Sequence, residues 1–224
     1  MRTLANAVTH LQRRRALAAT AAVLALATAA SVSAQSVDDG SSEFALSIGY
    51  ANVGLGSSSS LDSQDALRWE TSLTFAPLRQ LPQLRLGGDV GVSLVLEDST
   101  TIFISRNGQT IFAGTSQVPL WTIEPELRLS WRQSFANGAF FVEPGVAGGL
   151  AWGFLDLHDD AGNSYSADSS TAFGRVFLRA GARVSGGLAG IEASYAAGGN
   201  MNFGGDASGD FREFYIGIFG SLSF

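Results

Sequence analysis

Residues 84–131 read LRLGGDVGVSLVLEDSTTIFISRNGQTIFAGTSQVPLWTIEPELRLSW and fold on paper about one dipeptide, Asn107-Gly108. Asn-Gly between apolar runs is a strong hairpin signal, because both residues tolerate the positive φ that a type I′ turn needs. Pairing Arg106 with Gln109 makes the numbers of facing residues sum to 215, which sets Leu94 against Trp121, Val92 against Ile123, Gly88 against Leu127, Leu86 against Leu129 and Leu84 against Trp131. The positions between are Arg85, Asp89, Gly91 and Ser93 on one strand, then Glu124, Glu126, Arg128, Ser130 and Arg132 on the other. One face is apolar and the other charged.

A soluble sandwich also alternates with period two, so the apolar face alone does not separate water from lipid. Its ends do more. Trp121 and Trp131 stand ten residues apart, which at about 3.3 Å per residue and a tilt near ~40° covers roughly 25 Å of membrane normal, the spacing of two aromatic girdles. The hairpin therefore reads as two strands of a membrane barrel, apolar outside and charged inside.

The other strands follow the same rule. Phe44, Leu46, Ile48 and Tyr50 alternate with small residues, and Leu67, Trp69, Thr71, Leu73 and Phe75 alternate with Arg68, Glu70, Ser72 and Thr74. A second turn at Asn137-Gly138, with a sum of 275, pairs Leu129 with Val146, Ile123 with Trp152 and Trp131 with Pro144, and places Arg132 opposite Glu143. Val176, Leu178, Ala180, Ala182 and Val184 alternate with Arg175, Phe177, Arg179, Gly181 and Arg183. Gly186-Gly187 then turns the chain toward Ile191, Ala193 and Tyr195, whose inner neighbours are Glu192 and Ser194. The final stretch sets Phe214, Ile216, Ile218, Leu222 and Phe224 against Glu213, Tyr215, Gly217, Ser221 and Ser223. The fold class expected is all-β: an eight-stranded antiparallel up-and-down transmembrane β-barrel, an even strand number as single-chain bacterial barrels have. A ten-stranded barrel competes only if 102–104 and 110–113 cross the membrane, and a crossing takes roughly 9–11 residues. Pro125 and Pro144 fall inside strands, where each forfeits a ladder donor, so a local break is expected at both.

The connections 54–65, 95–120, 155–169 and 198–210 are long, while 76–83, 134–138 and 185–188 are short. Barrels of this kind carry long loops outside the cell and short periplasmic turns, which places both termini in the periplasm. Outward aromatics then sort by depth, with Phe44, Phe75, Trp131, Phe140 and Phe224 toward one edge and Tyr50, Trp69, Trp121, Trp152, Tyr195 and Phe214 toward the other. Residues 1–34 read as a signal peptide: basic Arg2 and Arg13 to Arg15, apolar Ala16 to Ala30, and a small-residue cleavage site at Val32-Ser33-Ala34. Residues 35–42 follow as a flexible segment and 43–224 as the barrel. Four of the 14 cationic residues fall in the signal, so ten remain against 20 acids and the net charge drops to about −10. That balance speaks against nucleic acid. With no cysteine in the chain, disulfides, thiolate metal sites and cysteine nucleophiles are excluded.

The inward ionisable groups are Arg68, Arg85, Arg128, Arg132, Arg175, Arg179 and Arg183 against Glu70, Asp89, Glu97, Glu124, Glu126, Glu143, Glu192 and Glu213. Registers bring Glu70, Asp89 and Glu126 side by side, and like charges so placed need neutralising. Arg128 and the ladder Arg175, Arg179 and Arg183 are the natural partners, since an eight-stranded lumen lets side chains from facing walls meet. The reading adopted is a structural ion-pair plug. A polar lining for a narrow porin-like channel and carboxylates tuned for proton transfer or catalysis are the alternatives. His158, in a loop with Asp156, Asp159, Asp160 and Asn163, lacks the spacing of a calcium loop. No histidine lies at membrane depth. No catalytic residue, metal or cofactor is assigned.

With its signal segment, eight alternating strands and an end at Ile216, Ile218, Leu222 and Phe224, the sequence resembles the small outer-membrane barrels, such as outer-membrane protein X and the transmembrane domain of outer-membrane protein A. The resemblance implies an outer-membrane location in a Gram-negative-type bacterium and a monomer bathed in outer-membrane lipid. It also implies handling by the barrel-assembly machinery, which in that family reads a terminal aromatic and the alternating apolar residues before it, here Phe224, Leu222, Ile218 and Ile216. A structural or surface-interaction role is the function expected.

Overall fold

The computed structural model describes residues 42–56, 61, 63–95, 102–106, 109–114, 120–159, 161–204 and 207–224. The signal segment, Glu97 and the Asn107-Gly108 tip lie outside the described residues. The strands are β1 (Glu43–Gly54), β2 (Gln64–Phe75), β3 (Leu84–Val95), β4 (Ile102–Arg106), β5 (Gln109–Gly114), β6 (Leu120–Trp131), β7 (Gln133–Phe135), β8 (Phe140–His158), β9 (Ser164–Val184), β10 (Gly187–Asn202) and β11 (Ser208–Ser223). Antiparallel pairing runs β6-β3-β2-β1-β11-β10-β9-β8, and β6 also pairs with β8, so eight strands close a ring. β7 continues the line of β6 along β8. Strands β4 and β5 pair only with each other, as a separate hairpin, and the ten-stranded alternative is set aside.

The register about Asn107-Gly108 holds for the whole membrane hairpin, from Leu84↔Trp131 to Leu94↔Trp121. It also holds at the tip, where Arg106 faces Gln109, but shifts by one residue between Ile104 and Ser105, so a bulge separates the tip pairs from the rest of β4–β5. A bulge inserts one extra residue on one side and twists the ribbon locally.

Both prolines sit where a ladder stops. The β6–β8 ladder lapses between Ile123↔Trp152 and Glu126↔Gly149, on either side of Pro125, and resumes in the same register. It lapses again after Ser130↔Gly145 and restarts at Gln133↔Val142, so the expected Trp131–Pro144 pairing does not form. The missing N–H of each proline falls in a gap and leaves the register intact. One tight turn keeps its expected register and one is displaced by a residue. The first holds the sum of 275 through Phe135↔Phe140, with positive φ at Ala136, Asn137 and Gly138, Gly138 N donating to Phe135 O and Ala139 N to Ala136 O. The second turns on Ser185-Gly186, because Gly187 is already paired with Val184.

Four strands run well past the expected crossings, and this corrects the reading of 155–169 and 198–210 as long loops. Across the belt, Ile48, Leu73, Val90, Leu127, Val146, Val176, Ile191, Ile216 and Ile218 point outward and are exposed, Leu127 to 73%. Phe75, Trp131, Phe140 and Phe224 flank the belt toward the end carrying the chain termini, and Tyr50, Trp152, Tyr195 and Phe214 flank it toward the β4–β5 end. Above the belt the inner positions turn apolar, in unchanged phase on β8, β9 and β11 and after a register shift between Ala197 and Asn200 on β10. Leu155, Leu157, Phe173, Met201, Phe203 and Phe211 turn inward and are buried, with Asp156 and His158 outward between the first of them. These residues join Val53, Leu55, Leu61, Val95 and Leu120 in one dry cluster that fills the lumen at this end. Lipid no longer covers the outer wall there, so apolar side chains are stable only inside.

Candidate functional site: a buried arginine and carboxylate layer

Below the apolar cluster the inner positions of β2, β3, β6, β9, β10 and β11 are ionisable, and the ring delivers them to one level. Arg68 donates from Nη1 to Glu124 Oε2 at 2.6 Å and from Nη2 to Glu70 Oε2 at 3.1 Å, and its Nη1 lies 3.1 Å from Glu213 Oε1. Arg175 spans the lumen with three different nitrogens: Nη2 to Glu124 Oε2 at 2.6 Å, Nε to Glu126 Oε2 at 2.9 Å and Nη1 to Glu213 Oε1 at 2.8 Å. Arg128 reaches Glu70, then Asp89 at 2.7 Å and Glu192 at 2.9 Å. Arg179 closes the circuit with Glu192 at 2.5 Å and Glu70 at 3.3 Å. A guanidinium presents five donors in a planar fork, so it can hold several carboxylates at fixed angles where a lysine could not.

Hydroxyls complete the acceptors. Ser93 Oγ donates to Glu213 Oε2 at 2.6 Å, and Thr122 Oγ1 to Glu124 Oε1 at 2.5 Å. Inward aromatics take the guanidinium faces: Phe177 under Arg128 at 3.8 Å, Phe219 under Arg179 at 5.1 Å, Phe173 under Arg175 at 5.3 Å and Tyr215 under Arg68 at 5.7 Å. Such contacts add to the ion pairs when the cation is desolvated. Two glycines make the room. A Cβ on Gly145 would stand 2.2 Å from a ring carbon of Phe177, and one on Gly91 would stand 2.1 Å from an Arg68 nitrogen.

A second tier lies toward the terminus end. Arg132 donates from Nε to Glu143 Oε2 at 2.6 Å and from Nη1 to Glu43 Oε2 at 2.7 Å, while Arg85 stands 3.8 Å from Glu43. Ser130 Oγ donates to Glu143 Oε1 at 2.6 Å. Phe141, Leu188 and Phe219 form a small apolar cluster beside these groups.

Of the residues expected in the network, Arg68, Glu70, Arg85, Asp89, Glu124, Glu126, Arg128, Arg132, Glu143, Arg175, Arg179, Glu192 and Glu213 meet there. Arg183 does not. It stands exposed at the mouth, where no carboxylate among the described residues pairs with it, because the last residues of β9 rise past the rim. Glu70 faces Gly91 across β2–β3, and Ser72 rather than Glu70 faces Asp89, so only Asp89 and Glu126 are directly opposed. Glu43 was missed, since it begins the first strand and has no charged neighbour in the alternation. Phe141, Phe173 and Phe219 were missed because an inward aromatic breaks the pattern of charge inside.

Carboxylate oxygens of Glu70, Asp89 and Glu126 lie within 4.8 Å of one another, close enough to hold a cation, with Arg128 already against two of them. The loop acids arrange differently. Asp159 accepts from Asn163 N at 2.7 Å and from Asn163 Nδ2 at 2.6 Å, and these bonds hold its carboxyl below the ordinary aspartate range. Asp156 accepts from Ser166 Oγ at 3.0 Å. His158 is paired with Ser164 in the β8–β9 ladder, and Asp160 lies outside the described residues.

No protein-family profile matches the chain, and none of the curated proteins matches it. Solved structures do. The crystal structure of Neisserial surface protein A aligns with a TM-score of 0.53 and 12% identity, covering 85% of this chain and 100% of that one. The attachment invasion locus protein of Yersinia pestis, Ail, aligns at 0.49 and 11% identity, covering 82% of this chain and 99% of that one. Ring closure over eight strands and the exposed apolar belt agree with the first of these. At this identity the likeness shows architecture alone, and the chain has the fold of the small eight-stranded outer-membrane β-barrels.

Proposed function

We propose that this chain is a barrel of a Gram-negative-type outer membrane whose lumen is closed to solutes, with a structural or surface-interaction role and no catalysis. One observation carries the reading: Arg68, Arg128, Arg175 and Arg179, all at most 2% exposed, cross the lumen and end on carboxylates of facing strands. Directly above them a buried apolar cluster around Phe203, Phe211 and Leu155 occupies the same end of the barrel, which supports closure. A pore needs a water-filled lumen lined by mobile or hydrated groups, and eight strands enclose only enough space for side chains.

The short turns at 136–139 and Ser185-Gly186 support a periplasmic position for the terminus end, and the β4–β5 hairpin then faces the outside. Outward Ile216, Ile218, Leu222 and Phe224 fit a recognition strand for the barrel-assembly machinery. The partners proposed are that machinery and outer-membrane lipid, with no nucleic acid and a monomeric state. Reconstitution in planar bilayers tests closure. The unmodified protein is expected to give no steady unit conductance, and a reproducible one would replace this reading with the narrow channel. Protease added to intact cells is expected to cut near Arg106 and spare the barrel. Cutting there only from the periplasmic side would invert the orientation.

A further inference from the structure

The buried layer does not balance. Its four guanidiniums, of Arg68, Arg128, Arg175 and Arg179, face six carboxylates, of Glu70, Asp89, Glu124, Glu126, Glu192 and Glu213, and none of these side chains is more than 5% exposed. Four of the acids are fully engaged. Glu70 gives one oxygen to Arg128 and Arg179 and the other to Arg68. Glu192 divides its oxygens between Arg128 and Arg179, and Glu124 and Glu213 use theirs on Arg68, Arg175, Thr122 and Ser93.

Asp89 and Glu126 are each half engaged. Asp89 Oδ2 accepts from Arg128 at 2.7 Å and Glu126 Oε2 from Arg175 at 2.9 Å, while Asp89 Oδ1 and Glu126 Oε1 are buried with no hydrogen-bond partner. The two residues face each other directly across β3–β6. Surplus negative charge and unsatisfied oxygens thus coincide at one opposed pair, where two ionised carboxylates would repel. A positive ligand belongs between them. Calcium or magnesium takes about six or more oxygens, and here only two are uncommitted, since Glu70 has none to give. A proton needs two.

We propose that Asp89 and Glu126 hold one proton between them, as a carboxylic acid donating to a carboxylate. The proton comes from solvent as the barrel closes. One carboxylate gains an O–H bond, and nothing else is made or broken. The charged groups around the pair are Arg68 and Glu70 on β2, Glu124 and Arg128 on β6, Arg175 and Arg179 on β9, Glu192 on β10 and Glu213 on β11. These cancel, four against four, so the pair carries the whole surplus and one proton cuts it from two negative charges to one. The inference rests on the closed-lumen reading for the dryness of the layer, yet the two fail separately, one by conductance and the other by a vibrational band.

Infrared spectra of the whole barrel in lipid vesicles at neutral pH test it. A protonated-carboxyl band that shifts in D2O is expected in the unmodified protein, with its loss in both Asp89→Asn and Glu126→Gln. An amide N–H can stand in for the shared proton, so Asp89→Asn should assemble with an unfolding midpoint no lower than the unmodified barrel, and Asp89→Ala with a lower one. Three results would overturn the proposal: no such band in the unmodified protein, a band that survives both substitutions, or one metal ion per chain by elemental analysis that Asp89→Asn loses. If Asp89→Asn fails to assemble, Glu126→Gln carries the same readout.

Discussion

Arg128 holds its guanidinium carbon 3.8 Å from the centre of the Phe177 ring, while the same group reaches Glu70, Asp89 and Glu192 on three other strands. The ring supports one face of the cation and the acids take its edge, so the residue ties opposite walls together. Arg128→Met takes from Asp89 its arginine partner and leaves Glu70 and Glu192 to Arg68 and Arg179, and removing one partner of a buried pair costs about 3–5 kcal/mol. Urea unfolding of the assembled barrel should show a loss of that size. Phe177→Leu should cost about 1 kcal/mol beyond its lost area. A loss for Arg128→Met no larger than that of a surface substitution would mean that water reaches the layer.

Arg179 and Arg183 lie four residues apart on β9 and should behave oppositely. Arg179→Ala leaves one oxygen of Glu192, which it meets at 2.5 Å, buried without its donor, and should lower the unfolding midpoint clearly. Arg183→Ala removes an exposed side chain with no acid partner among the described residues, and a surface change of that kind stays within about ±0.5 kcal/mol. Equal losses from the two would contradict the placement of Arg183 at the rim.

The apolar cluster predicts a different failure. Phe211→Ala empties a ring-sized volume beside Phe173, whose ring centre lies 5.8 Å away, and buried Phe→Ala changes cost about 3–5 kcal/mol. The damage should be confined to the β4–β5 end. Hydrogen exchange should quicken at the outer ends of β10 and β11, and the amides around Arg175 should keep their protection.

Ala136 sits at φ 49°, a left-handed conformation in which a Cβ is strained. Relieving it with Ala136→Gly should raise stability by about 0.5–1 kcal/mol, the strain removed less the entropy that glycine adds to the unfolded chain. Ala136→Val should lower it. A loss on Ala136→Gly would show that the turn adopts another geometry.

Asp159 gives the loop end of β8 a pH dependence of known sign. Its carboxyl is held below the ordinary aspartate range, first by the Asn163 side-chain amide and then by backbone donors, so the folded loop favours the ionised form. That stabilisation is complete above the ordinary aspartate value and is lost as pH falls through the lowered one. Acid titration should therefore free the Asn163 amide at a pH below that at which a solvated aspartate protonates. Asp159→Asn should remove the transition.

The pairing of β3 with β6 was legible to the residue, because only one register keeps the apolar positions of both strands on one face, and a one-residue slip would turn every charged group of that hairpin toward lipid. Most of the ion-pair layer was legible for the same reason: an arginine or glutamate among outward leucines can only face in. The rest follows from changes of surroundings that alternation does not report. Past the membrane edge the solvent outside changes from lipid to water, so apolar Leu155, Leu157 and Met201 point inward, against the pattern of the belt, and the stretches 155–169 and 198–210 read as loops. Near the rims the strands outrun the lumen, and Arg183 loses its partners though it keeps the phase of Arg179. Aromatics inside, such as Phe173 and Phe219, became intelligible only once each was seen beneath a guanidinium.

The strands that continue past the belt make a post. From Trp152 to His158 the wall of β8 stays paired with β9 and backed by buried leucines, and these seven residues of strand rise about 20 Å along the chain. A peptide grafted into the short connection at residues 159–163 would stand on a rigid pedestal clear of lipid headgroups, its foundation resting on apolar contacts that neither membrane thickness nor lipid charge can alter.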